Sequence, residues 1–293
     1  MSDIPFSDGS GYLTRYPDSQ SKWPIPARHV DVWCPPGYAE SDTRYPVVYM
    51  HDGQHLFDSA MFFTDHDWGV DEAITRLMQT DQVNRANQAD RFPGAIVVAL
   101  WNTPNRWRDY MPAKPLELLK AQAGDQEYVK KSGGVAVVSD HYLKFIVNEV
   151  KPFIDQTYRT LPDRAHTFIM GSSMGALISL YALTEYPDVF GGAGCMSIHW
   201  ITGDNTILVD YFGQAIPNAG QHRLYFDFGT EGLDARYEPY QQRMDEALQT
   251  AGYEQGVDCL TLKFEGADHS EQSWRARVDI PLRFLLTGSM GSE

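Results

Sequence analysis

Between an apolar run at 167–170 and a strong helix former at 176–183, the chain reads Gly171-Ser172-Ser173-Met174-Gly175. A strand that becomes a helix over so few residues must bend sharply, and the residue at the tip takes a strained backbone conformation. Glycine on either side of the tip has no Cβ to obstruct the bend. The same turn sets the Met174 N–H at a helix N-terminus, where negative charge is favoured. A strand–turn–helix of this kind is stable only beside further strands.

The rest of the sequence supplies them. Arg28–Cys34 alternates like a strand and stops at Pro35-Pro36-Gly37. The runs 45–50 and 95–101 are continuously apolar, as in strands buried on both faces of a parallel sheet. Further strands are expected at 191–199, 224–228 and 260–264. Apolar residues recur at helical spacing over 68–78, 143–154, 240–251 and 274–285. Ser139 is the expected N-cap of the second of these helices. Pro152 should kink or end it, and Pro281 interrupts the last. Strands alternating with helices predict the α/β class, with a mostly parallel sheet covered on both faces. Residues 1–27, rich in Ser, Asp, Gly and Pro, read as an irregular lead-in. Residues 28–290 read as one domain, since no repeat, linker or low-complexity tract divides them. Within it, the polar stretch 102–134 offers no element and reads as a lid-like or substrate-binding excursion.

Charge narrows the partners. The 293 residues carry a formal net charge of −15, which repels phosphate backbones and anionic lipid, so neither nucleic acid nor membrane is an expected partner. No stretch approaches the roughly eighteen apolar residues of a membrane span. Residues 1–9 lack a basic segment and an apolar run, so a cytoplasmic location is expected, with a processed secreted form as the alternative. Cys34, Cys195 and Cys259 are scattered, which argues against a disulfide framework or structural zinc and for small buried hydrophobes. Self-association as a homo-oligomer is left open.

Functional groups on a parallel sheet gather at the carboxyl ends of its strands. Here those ends carry the turn 51–54, Ser173, the segment holding Glu231 and Asp234, and His269. Serine, acid, histidine is a triad order. A serine hydroxyl is a weak nucleophile until an imidazole removes its proton, and the imidazole needs a carboxylate to fix its tautomer. Of the 9 histidines, His269 combines a strand end with that order. Asp234 is preferred to Glu231 as the acid because its shorter side chain loses less entropy when held. Either has an alternative role in capping the helix near 238. An oxyanion needs a second N–H beside that of Met174, and Gln54 supplies it where Gly53 lets the backbone approach closely. His51 is expected to shape the pocket. Trp101, Trp107, Tyr110 and Trp200, at strand ends or in the excursion, are candidates to stack on a sugar or aryl ring. His51, Asp52 and His55 are metal-ligand types without a zinc spacing, so no metal site is expected.

Three segments carry a family resemblance together. They are Tyr49-Met50-His51-Asp52-Gly53-Gln54-His55-Leu56-Phe57-Asp58, Gly171-Ser172-Ser173-Met174-Gly175-Ala176, and Gly266-Ala267-Asp268-His269-Ser270-Glu271-Gln272-Ser273-Trp274. Over about residues 28–287 the chain resembles the esterase branch of the α/β-hydrolases. That branch includes enterochelin-esterase-like, feruloyl- and acetylxylan-esterase-like enzymes and S-formylglutathione hydrolases. The resemblance implies an α/β-hydrolase fold and hydrolysis of a small-molecule carboxylic ester through an acyl-serine without a cofactor; if Trp101, Trp107, Tyr110 and Trp200 line the site, an ester on a carbohydrate or phenolic group is the favoured substrate. It assigns Ser173 as nucleophile, His269 as base, and Gln54 and Met174 as the oxyanion positions. Relatives often place the carboxylate after a Gly-Thr-x motif, where this chain has Gly232, so Glu231 and Asp234 stand on either side. Acyl transfer to another alcohol and a non-catalytic, glycan- or partner-binding role are the competing readings.

Overall fold

A computed structural model describes residues 3–5, 9–58, 66–84, 92–123, 136–201 and 206–288. Over these residues the strands are β1 (Asp3–Pro5), β2 (Tyr12–Ser19), β3 (Arg28–Cys34), β4 (Val47–His51), β5 (Ile96–Leu100), β6 (Thr167–Ser172), β7 (Gly192–Met196), β8 (Arg223–Gly229) and β9 (Cys259–Phe264). They form a nine-stranded sheet in the order β1-β2-β3-β5-β4-β6-β7-β8-β9. β2 runs antiparallel to both β1 and β3, and β3 runs antiparallel to β5. From β5 through β9 all pairings are parallel, so the carboxyl ends of β4, β6, β7, β8 and β9 share one rim.

Side chains along a strand alternate between faces, and the core divides accordingly. Val47, Tyr49, Ile96, Val98, Ile169, Cys195, Leu224 and Phe226 pack on one face. Val48, Met50, Val97, Ala99, Phe168, Met170, Tyr225 and Leu260 pack on the other. Helices α1 (Val70–Asn84) and α9 (Asp279–Thr287) cover the second face. The first is covered by α4 (Ser139–Phe145), α6 (Met174–Glu185), α7 (Ile207–Ala215) and α8 (Glu238–Thr250). Residues 174–183 of α6 are all buried, as befits a helix apolar on every side. No helix among the described residues is long and apolar enough to cross a membrane. Cys34, Cys195 and Cys259 are buried and form no disulfide among the described residues.

Several expectations need correction. Part of the expected irregular lead-in is regular: β1 and β2 form there, and β2 pairs with β3 from Tyr12 opposite Cys34 to Ser19 opposite Arg28. Its pattern is obscured because half of its residues are polar and its register shifts between Tyr16 and Ser19, around Pro17. The excursion contains α2 (Arg106–Tyr110) and α3 (Ala113–Ala123). Pro115 reads as a breaker but lies in the first turn of α3, where its missing N–H costs no intrahelical bond. Residues 124–135 lie outside the described residues, so the lid expectation stays with them. Ser139 opens α4 instead of capping it. Pro152 neither ends nor breaks its helix: a π-helical turn, Ile146–Val150, precedes α5 (Lys151–Thr157) and absorbs the lost hydrogen bond.

Candidate active site

Ser173 stands alone between β6 and α6, with φ 56° and ψ −120°. A non-glycine residue in such a conformation is strained by about 1–3 kcal/mol and persists only where its surroundings enforce it. Here its N–H donates to the Met196 carbonyl at 2.9 Å, and its own carbonyl accepts from Leu177 N–H at 3.1 Å and His199 N–H at 3.3 Å. The flanking glycines permit close approach. A Cβ on Gly171 would lie 2.6 Å from the Gly175 carbonyl carbon, and one on Gly175 would lie 3.1 Å from Asp52 Oδ2. The second approach seats the start of α6 directly against the turn that follows β4.

That turn carries Gln54 within a 3-10 segment, Gly53–His55. Asp52, at φ 57°, turns the chain into it. Arg106 clamps Asp52 with two 2.7 Å bonds, and Asn102 Nδ2 donates to the same carboxylate at 2.7 Å. Burial pushes the Asp52 carboxyl up, but the Arg106 guanidinium, the Asn102 amide and His51 together outweigh it and hold the group below its usual range. The Gln54 side chain accepts from Asn102 N–H at 3.2 Å, which fixes the turn to the end of β5. Met174 N–H, at the head of α6, is among the N–H groups that a helix leaves without intrahelical partners. The two candidate oxyanion residues therefore sit on adjoining strand ends.

The acid and the imidazole meet because two loops lock together. A Cβ on Gly229, at the end of β8, would stand 2.1 Å from the Ala267 carbonyl oxygen, so only glycine allows the loops after β8 and β9 to touch. Thr230 and Glu231 N–H both donate to that carbonyl, at 2.9 and 3.0 Å. Gly266 N–H donates to Thr230 Oγ1 at 2.8 Å. Across this seam His269 Nδ1 lies 2.5 Å from Asp234 Oδ1, and His269 Nε2 lies 2.9 Å from Ser173 Oγ. An acceptor carboxylate on Nδ1 puts the ring proton there and leaves Nε2 to accept from the serine hydroxyl. Burial raises the Asp234 carboxyl, yet hydrogen bonds from His269, Ser197 and Gly229 N–H lower it further, so it is held ionised below the usual range. Tyr237 and Trp274 wall the imidazole edge-on, with ring centroids 5.8 and 5.1 Å away. Glu231 is exposed, and Asp234 holds the place beside the imidazole.

The expected substrate-facing residues divide. His51 is fully buried and bonds Tyr142 Oη through Nδ1 at 2.8 Å, so it packs beneath the elbow and lines no open pocket. Trp200 is likewise buried, between Phe212 and Phe226, with Nε1 donating to Gln241 at 3.1 Å. Position at a strand end did not reveal that its side chain turns into the core. Trp101 donates to Asp31 on β3 at 2.8 Å, and Arg15 covers one face of its ring. Trp107 and Tyr110 lie on α2, Trp107 half-buried against the core and Tyr110 fully buried. Sequence reasoning missed the buried polar groups behind Asp234, namely Ser197, Asp227 and Arg277. Their one sequence signal is placement: Ser197 follows β7 directly, and Asp227 lies near the end of β8.

A family model described as "Putative esterase" matches residues 26–284. The uncharacterized protein YbbA of Bacillus subtilis (strain 168) is 24% identical over 249 residues, covering 83% of this chain and 86% of that protein. The ferri-bacillibactin esterase BesA of the same organism is 27% identical over 163 residues, which span 53% of this chain and 49% of BesA. A solved structure of a ferulic acid esterase superposes with a TM-score of 0.63 at 17% identity, covering 94% of this chain and 97% of that one. The architecture is that of the α/β-hydrolases.

Proposed function

The chain belongs to the esterase family and is a carboxylic ester hydrolase, and on that premise we propose that it works through an acyl-serine intermediate formed on Ser173. The observation that carries this reading is the position of His269, in hydrogen-bond contact with Ser173 Oγ on one side and Asp234 on the other. In the proposed cycle, Ser173 Oγ attacks the ester carbonyl as His269 Nε2 takes its proton. Asp234 holds the imidazole in that tautomer and balances the charge it gains. The oxyanion is received by the N–H groups of Met174 and Gln54, which cost no reorganisation because both are fixed by the backbone around them. His269 returns the proton to the leaving alcohol. Water then attacks the acyl carbonyl as it loses a proton to the same nitrogen, and that proton passes to Ser173 Oγ as the acyl–oxygen bond breaks and the acid leaves. The proposed substrate is a small-molecule ester of a phenolic or carbohydrate group, a reading supported by the likeness to esterases named for ferulic acid and for ferri-bacillibactin.

Fluorophosphonate labelling with mass mapping tests it. Label is expected on Ser173, absent in Ser173→Ala and strongly slowed in His269→Ala. A folded wild type that takes no label and turns over neither p-nitrophenyl acetate nor a panel of aryl and sugar esters would overturn the proposal.

A further inference from the structure

Behind the acid lies a group that the proposed chemistry does not by itself require. Ser197 follows β7 and is fully buried. Its backbone has φ 42°, a left-handed conformation that glycine or asparagine adopts more readily than serine. Its hydroxyl has three partners. Arg277 Nη2 donates to Oγ at 2.8 Å and Trp274 Nε1 donates to it at 3.1 Å. With both lone pairs taken, the hydroxyl proton has one direction left, and Asp234 Oδ2 stands there at 2.6 Å. This is the length of a charge-assisted bond.

The consequence falls on the carboxylate. Oδ2 of Asp234 receives Ser197 Oγ–H and the Gly229 N–H, the latter at 2.8 Å. Oδ1 is left to His269. Rotation about the carboxyl is thereby stopped with one oxygen presented to the imidazole. The anchor is itself anchored. Asp227 Oδ1 accepts from Ser197 N–H at 3.0 Å and from Arg277 Nη2 at 3.0 Å, and Tyr225 Oη donates to its other oxygen at 2.8 Å. Arg277 Nη2 is 4.0 Å from Asp234 Oδ2, so a second carboxylate, Asp227, shares the guanidinium. Arg277 thus polarises the serine hydroxyl without competing with His269 for the acid.

We propose that Ser197 is a positioning residue of the triad, which acts through Asp234 by locking the carboxylate in the orientation that serves His269. This rests on the acyl-serine reading above, and it gives a reason for the strained serine at this position: a hydroxyl is needed where the backbone favours glycine.

A double-mutant cycle tests it, read as kcat and KM on p-nitrophenyl acetate. Ser197→Ala is expected to lower kcat about 10-fold with KM unchanged, the loss typical of one bond to a charged group. In an Asp234→Ala background the same change should cost nothing further, because the carboxylate through which the hydroxyl is proposed to act is gone; a further loss there would show that Ser197 acts through Trp274 instead. Ser197→Gly, which suits the positive φ, should reproduce the Ser197→Ala loss and so separates the hydroxyl from backbone strain. The His269 Nδ1 proton, followed by NMR without substrate, should move upfield and exchange faster in both variants. Equal loss in the two backgrounds, or wild-type kcat together with an unmoved proton signal, would overturn the proposal. A wild type without turnover would defeat the acyl-serine reading instead, and the proton signal would then decide Ser197.

Discussion

Replacing Asp234 by asparagine tests the triad more sharply than deleting it. The structure fixes how the amide would sit. Ser197 Oγ–H and Gly229 N–H both donate to the Oδ2 position, so the amide oxygen is held there and the NH₂ faces His269 Nδ1. An NH₂ in that place can only donate. His269 must then accept at Nδ1 and carry its proton on Nε2, the nitrogen that should receive the proton of Ser173. The wrong tautomer is thus imposed by two donors that the substitution leaves untouched. The equivalent tautomer error in a serine protease costs about 10⁴-fold in kcat. A loss of roughly 10³–10⁴-fold is expected here, equivalent to ~4–5 kcal/mol of barrier. Asp234→Ala should be no worse, since it leaves the imidazole free to choose its tautomer. Glu231→Gln, at an exposed position, should leave kcat within twofold. The assay is steady-state hydrolysis of p-nitrophenyl acetate, with circular dichroism to show that each variant is folded. Asp234→Asn retaining more than a tenth of wild-type kcat, or Glu231→Gln losing as much as it does, would refute the reasoning.

Two further outcomes follow from burial. Trp200→Ala should remove a fully buried side chain from between Phe212 and Phe226, costing about 3–5 kcal/mol in urea unfolding while leaving KM for an aryl ester unchanged. His51 is pushed down to about 3 by burial, so between the ordinary histidine range and that value the unfolded chain binds a proton that the folded chain refuses. Stability should therefore fall as pH drops below about 6.5, by ~1.4 kcal/mol per unit from this one residue. His51→Gln, which keeps a partner for Tyr142, should flatten the dependence of the urea midpoint between about pH 6 and pH 4; identical slopes would count against it.

What the sequence revealed was local. The strand, turn and helix around Ser173 are contiguous, and their apolar runs and glycines are legible without any tertiary contact. Strands β4, β5 and β6 carry unbroken apolar runs at 47–50, 96–100 and 168–170 because both of their faces are buried. β2 was overlooked because it is only partly buried and carries Arg15 and Asp18 among its polar positions. α2 and α3 were overlooked because Pro104, Pro112 and Pro115 crowd their starts, where proline is harmless. Trp200 was placed in the wrong environment for a related reason: the end of a strand says which rim a residue occupies, and nothing about which way its side chain turns.

The choice between Glu231 and Asp234 shows the limit most clearly. Side-chain entropy favoured the shorter acid, and Asp234 is the one that meets His269. The physical cause is different. It is the approach of Gly229 to Ala267, a contact between loops after different strands, which holds the imidazole within reach of residue 234 and leaves 231 facing solvent. The glycine is visible in the sequence, but the carbonyl it must clear is not. The same holds for Ser197, whose left-handed backbone and three-way hydroxyl depend on Trp274 and Arg277 from near the C-terminal end of the chain. Residue type and strand-end position are enough to nominate a nucleophile and a base. The groups that orient them are set by contacts between turns far apart in sequence, and those contacts come from the sheet order that brings β7, β8 and β9 side by side.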